Sequence, residues 1–117
     1  MDNSPAPGKL FVAPGVLITV VKLAALGVPG VVRMSPVPGG VNDWLRLGAS
    51  KGVRLETHGD SVSAEIYLVI DKEADSRVVA RQVQQEVARA VTEIIGLDVE
   101  HVEVFVEDIQ ERSREAA

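Results

Sequence analysis

The sequence predicts a small α+β domain, in which a mixed β-sheet carries two main helices packed on one face. Residues 51–109 read as a β-hairpin, a long amphipathic helix and a further strand. The second strand of the hairpin, the helix and the further strand make a β-α-β unit. Ahead of this unit, residues 9–34 contain an apolar helical stretch and short extended segments. The 117 residues are 46% hydrophobic, which is enough for one globular core.

We therefore expect one domain over residues 9–110. Residues 1–8 are rich in proline and small polar residues and are predicted to be a disordered leader. Residues 111–117 are predicted to be a charged, frayed tail.

The first part of the domain contains the least polar helix. Residues 9–13 fit a short strand. Pro14 stands where a helix can begin, because proline lacks an amide hydrogen and the amides of a first helical turn have no partner within the helix. Residues 16–26 are apolar except for Thr19 and Lys22. This run is too short for a bilayer span, which needs about 20 apolar residues. It predicts a buried core helix or, alternatively, a subunit or partner interface.

The next segment holds the sole tryptophan. Residues 28–34 are extended but broken by Pro29 and Gly30, so a strand here is short or lies at a sheet edge. A loop rich in proline and glycine follows, and residues 43–47 read as one amphipathic turn containing Trp44. We interpret Trp44 as a candidate lid over one end of the core, with a binding platform as the alternative.

The hairpin has a register that can be counted from its turn. A two-residue Gly-Asp turn at 59–60 joins residues 53–58 to 61–71, and both stretches alternate apolar and polar side chains. The predicted apolar-face pairs are Val53 with Ile66, Leu55 with Ala64 and Thr57 with Val62. The predicted polar-face pairs are Arg54 with Glu65 and Glu56 with Ser63. A one-residue slip would turn the apolar set to water, so the register is well determined.

The long helix has signals at both ends. Asp75 or Ser76 can cap its first-turn amides, and Gly96 ends it near Ile95 because glycine readily adopts the left-handed conformation. Its apolar stripe comprises Val79, Val83, Val87, Ala90, Val91, Ile94 and Ile95. A last strand over 99–108 follows, and the strand-helix-strand order predicts a parallel, right-handed crossover.

Charge and composition exclude several classes of function. The chain has 12 basic and 17 acidic residues and a net charge of −5, so it lacks the positive field that favours nucleic acid or an anionic membrane surface. It has no cysteine, and we expect neither a signal peptide nor a membrane-spanning run. We expect a cytoplasmic protein with no direct membrane insertion.

The search for catalytic or metal-binding motifs finds none. His58 lies beside the hairpin turn and His101 on the outer face of a strand, without ligand spacing for a metal. The serines lack a nucleophile-elbow context, and the glycines follow no phosphate-binding pattern. We expect that the protein is not an enzyme and that it binds neither a cofactor nor a metal.

A candidate interaction face lies on the side of the sheet opposite the helices. It comprises Tyr67, Val69 and Phe105 among Arg54 and Glu65, and it holds two of the four aromatic residues in the chain. Such a face is either a half-exposed sheet or a docking face for a partner or a second copy.

The order of motifs resembles the alkaline shock protein family of bacterial general-stress and envelope stress response proteins. The residues that carry the resemblance are 8–14 (GKLFVAP), 24–26 (AAL), 28–31 (VPGV), 51–53 (KGV), 64–70 (AEIYLVI), 83–87 (VQQEV), 96–99 (GLDV) and 102–106 (VEVFV). They span about residues 8 to 110. The segment 36–50 departs from the family pattern in length and detail.

This resemblance implies a non-enzymatic cytoplasmic protein that self-associates and serves envelope homeostasis through a small membrane-anchored partner. It supplies no catalytic residues. Two alternatives stay open. One is a nucleic-acid module of the KH type, against which the net charge and the missing GXXG loop count. The other is a small-ligand site between Trp44, the loop 36–50 and the sheet.

Overall fold

A computed structural model gives the architecture of Gly8 and of residues 10–38 and 49–111, and it confirms the α+β class. The elements are α1 (Pro14–Leu26), β1 (Val31–Met34), β2 (Ala49–Ser50), β3 (Val53–His58), β4 (Ser61–Asp71), α2 (Ser76–Ala90), a π-helical turn (Val91–Ile95) and β5 (Asp98–Gln110). Three predicted parts lie outside the described residues: residues 1–7 of the leader, the turn that contains Trp44, and residues 112–117 of the tail.

The sheet is built on both edges of β4. On one edge, β5 pairs with β4 in parallel from Ser61–Asp98 to Asp71–Gln110, which confirms the predicted parallel pairing. The other edge is shared, because β3 pairs antiparallel with the first half of β4 and β1 with the second half. β2 lies outside β3. All five predicted hairpin pairs occur in the observed register.

The junction between β1 and β3 lies at Tyr67, in the middle of β4. The Tyr67 amide donates to Gly52 O at 2.9 Å, and Tyr67 O accepts from the Ser35 amide at 2.8 Å. Gly52 has φ +84°, and a Cβ built there would lie 2.7 Å from Ser35 O and 2.9 Å from Met34 Cβ. Only glycine fits this position, because both the backbone conformation and the space exclude a side chain.

One side of α1 is buried and the other is exposed. The buried side consists of Leu17, Ile18, Val21 and Ala25, so the core interpretation of this helix holds for that side. The expectation of a strand over 9–13 is wrong for the described residues 10–13, which are coil. Val12 packs against Leu17, Val62 and Ile95 at the start of α1 instead of pairing with a strand.

The capping prediction for the second helix is confirmed at both ends. Asp75 Oδ1 accepts from the amides of Arg77 and Val78 at 2.9 and 3.3 Å, and Gly96 adopts φ +88°. The α-helix nevertheless ends at Ala90 and widens into the π-helical turn, with Gly96 N bonded to Val91 O. The wider turn changes the direction of the side chains that follow, and Ile94 is exposed. The three- and four-residue spacing of apolar residues predicts Ile94 in the buried stripe.

The core lies between the two helices and one face of the sheet. Its central strand contributes Ile66, Leu68 and Ile70, which meet Val79 and Val83 of α2 and the buried side of α1. Each such side chain stabilises the fold by roughly 1.5–3 kcal/mol before entropy is subtracted. None of the helices in the described part of the chain is long and apolar enough to cross a membrane.

We predict that Gly52→Ala destabilises the fold far more than Gly59→Ala. Both glycines have positive φ, but a Cβ at Gly59 meets nothing within 4 Å. Gly59→Ala therefore isolates the backbone cost of about 1–2 kcal/mol. Gly52→Ala adds a clash with backbone atoms, so its loss of unfolding free energy should be at least roughly twice as large. Urea unfolding followed by far-ultraviolet circular dichroism measures both, and equal losses would contradict the packing argument.

Candidate interaction surfaces

The two aromatic residues predicted on the open face of the sheet form a stacked pair. Tyr67 on β4 and Phe105 on β5 are register partners, and their ring centroids lie 4.9 Å apart with an interplanar angle of 12°. Phe105 is 37% exposed, whereas Tyr67 is only 6% exposed. Phe105 therefore covers the tyrosine ring and presents its own outer side to solvent.

A polar network surrounds the tyrosine hydroxyl. Tyr67 Oη donates to Glu65 Oε1 at 2.7 Å, and Arg54 Nη1 lies 3.5 Å from the same oxygen. Burial, with the hydrogen bond to the Glu65 carboxylate and its negative charge, raises the pKa of Tyr67 to about 12. Arg54 Nη2 also donates to Pro38 O at 3.1 Å, which holds the chain after β1 against this face.

The structure brings the five predicted interaction residues together but leaves little of them exposed. Tyr67 and Val69 are buried, while Arg54 and Glu65 are half-buried. The expectation of an uncovered face therefore holds for Phe105 and fails for Tyr67 and Val69. For Tyr67 the reason is that Phe105 stacks on its ring, and for Arg54 that its guanidinium is bonded to Pro38 O. The role of this face in binding stays a prediction.

A larger apolar surface lies on the outer side of α1. Val16 and Leu23, seven residues apart and therefore on one side of the helix, are 49% and 61% exposed. Leu10 and Phe11, just before the helix, are 71% and 83% exposed. Sequence reasoning identified the helix but not these residues, because a helix that is apolar all round does not reveal which side faces the core.

A groove of about 500 Å³ continues from this surface into the space between α1 and α2. Its walls are Leu23, Ala24, Gly27, Val28, Pro29, Gln82, Gln85 and Glu86. The Glu86 carboxylate is bonded to Arg89 at 2.6 Å, so the charge on the rim of the groove is paired. The groove is apolar on the α1 side and polar but nearly uncharged on the α2 side, so it offers one apolar wall to an apolar side chain.

A second depression, of about 110 Å³, lies on the open face of the sheet and is lined by Arg54, Glu56, Ser63, Ala64, Glu65 and His101. Ser63 Oγ donates to Glu100 Oε1 at 3.0 Å, and His58 Nδ1 lies 3.5 Å from the same oxygen. Serine and histidine therefore both contact the carboxylate rather than each other, which is not the arrangement of an activated nucleophile. Within residues 10–38 and 49–111, no group of three or more potential ligands could hold a metal ion.

Comparison with known proteins identifies the family. Residues 2–111 match the model of the alkaline shock protein 23 family, described as having a cell envelope-related function. The chain belongs to this family. The match covers nearly the whole sequence and confirms the resemblance drawn from the motifs.

The alkaline shock protein family includes similar proteins from Bacillus subtilis. YloU is 25% identical over 107 residues, which cover 88% of this chain and 89% of YloU. YqhY is 25% identical over 105 residues, which cover 88% of this chain and 78% of YqhY.

The fold of this family member is also similar to that of solved structures of MamM CTD variants. One has a TM-score of 0.54 at 19% identity and covers 85% of this chain and all of that chain. Another has a TM-score of 0.52 at 20% identity and covers 82% of this chain and 95% of that chain. At this identity the similarity concerns the fold alone.

We predict that the sole tyrosine of this chain titrates near pH 12 while the protein is folded. Because its pKa is raised above the ordinary value of 10, the stability that Tyr67 contributes is complete below pH 10 and is lost as the pH rises toward 12. The phenolate absorbance gives the midpoint directly, with circular dichroism recorded at each pH.

Glu65→Gln is the matched variant for this titration. It removes the charge and weakens the acceptor of the hydroxyl, so the midpoint should move down toward the ordinary value. A wild-type midpoint near 10 in the folded protein would show that the hydroxyl is solvated and the network absent.

Proposed function

We propose that this chain is a non-enzymatic scaffold that self-associates through the outer side of α1 and serves the cell envelope through a membrane-anchored partner. The observation that carries the proposal is the exposure of Val16 and Leu23 on a helix whose other side is fully buried. Isolated exposed apolar residues are common, but two of them on one side of a helix, next to a groove with one apolar wall, indicate an interface.

The polar contacts of the described residues support a scaffold rather than an enzyme. Asp75 caps a helix, Glu86 pairs with Arg89, and Glu65 holds the Tyr67 hydroxyl. Each of these carboxylates stabilises the fold in a way that explains its position without a substrate. The small-ligand site that involves Trp44 lies mostly outside the described residues and gains no support.

The membrane-anchored partner is supported by charge. The chain carries a net charge of −5, and the cytoplasmic surface of a membrane is also negative, so the two repel each other. In this proposal a second protein holds the scaffold at the membrane against that repulsion, which accounts for the envelope-related function of the family. The same charge disfavours the alternative of nucleic-acid binding.

We predict that Val16→Glu weakens self-association while Val78→Glu does not. Each valine is the third residue of its helix, and the two are similarly exposed, at 49% and 44%. A glutamate in either first turn is favourable for the helix dipole, so neither change should unfold the chain. At the proposed interface, a buried glutamate should raise the dissociation constant at least roughly tenfold, which corresponds to about 1.4 kcal/mol.

Sedimentation velocity over a concentration series measures this difference, with Leu23→Lys as a second variant on the same side of α1. Equal weakening by Val78→Glu would contradict the assignment of the interface to the outer side of α1. A wild-type chain that stays monomeric at every concentration would overturn self-association altogether.

A further inference from the structure

We propose that the N-terminal arm of one copy, carrying Leu10 and Phe11, docks into the groove between α1 and α2 of a second copy. This inference rests on the proposed self-association and specifies how the two copies meet. The arm is the most exposed apolar segment of the described chain, with Leu10 at 71% and Phe11 at 83% exposure. The groove has the volume and the apolar wall to receive both side chains.

The arm cannot reach the groove of its own copy. Val12 packs at the N-terminal end of α1, against Leu17. The groove begins at Leu23, near the other end of this 13-residue helix. The helix is about 20 Å long at ~1.5 Å per residue, whereas the two residues before Val12 extend at most about 7 Å. Leu10 and Phe11 can therefore fill this groove only in a second molecule.

An antiparallel pairing of the two α1 helices brings each arm to the partner copy's groove. The outer side of α1 joins the N-terminal arm at Val16 to the groove at Leu23, so all three surfaces are continuous. If two copies pack along this side in opposite directions, the beginning of one helix lies beside the end of the other. Both arms then dock at once, and the twofold symmetry closes the assembly at a dimer.

Charge and area are compatible with this arrangement. The outer side of α1 is uncharged at Val16, Val20 and Leu23, so two identical surfaces can meet there without like-charge repulsion. A phenylalanine removes about 150 Å² or more from water when buried. Two copies that bury Leu10, Phe11, Val16 and Leu23 with the surfaces they cover reach roughly the 1,200 Å² at which specific interfaces begin.

The absence of cysteine from the chain permits a direct test of this contact. Single-cysteine variants Gly8→Cys and Gln85→Cys, which both keep Leu10 and Phe11, are prepared separately, mixed, and oxidised. The proposal predicts a covalent dimer in the mixture, several-fold more abundant than in either variant alone. Gly8→Cys mixed with Ile109→Cys is the matched control, because Ile109 is exposed on β5 and does not line the groove.

A second measurement separates this proposal from self-association in general. Phe11→Ser should leave the melting temperature of the monomer unchanged, because the side chain is exposed, and raise the dimer dissociation constant at least roughly tenfold. If the chain dimerises but Phe11→Ser has no effect and the mixture gives no more cross-link than the control, arm docking is overturned and self-association stands. If the wild-type chain is monomeric, both proposals fail.

Discussion

The packing of β4 is the constraint on which the rest of the structure depends. It is paired along both edges, and its side chains are largely buried on both faces. Because every backbone polar group of such a strand needs a partner, β5, β3 and β1 must each occupy a fixed stretch of its length. The helices then follow, since α2 connects β4 to β5 and can lie only on the face that holds Ile66 and Leu68.

Most of this arrangement follows from local patterns in the sequence. The hairpin register, the cap at Asp75, the left-handed glycine at Gly96 and the parallel crossover each depend on a few neighbouring residues. The split edge of β4 does not. It depends on Gly52, whose close contact with Ser35 and Tyr67 involves three separate segments. The π-helical turn, in which Ile94 is exposed, likewise does not follow from the three- and four-residue spacing of apolar residues.

The candidate surfaces were harder to predict for the same physical reason. Alternation along β4 and β5 correctly placed Tyr67 and Phe105 on one face, but it could not show that one ring would cover the other. The outer side of α1 was missed because nearly every residue of that helix is apolar. The sides are distinguished only when Leu17, Val21 and Ala25 meet the sheet and Leu23 does not.

The shared junction at Tyr67 has a consequence for the engineering of this domain. The segment between Ser35 and Gly52 begins and ends at hydrogen bonds to the same residue, so its two ends are held side by side in the native sheet. Lengthening a loop whose ends are already fixed costs only about 0.6 kcal/mol for each doubling. Extra residues between Pro38 and Ala49 should therefore leave the register of β4 with β1 and β3 unchanged, which makes this position suitable for grafting a foreign segment.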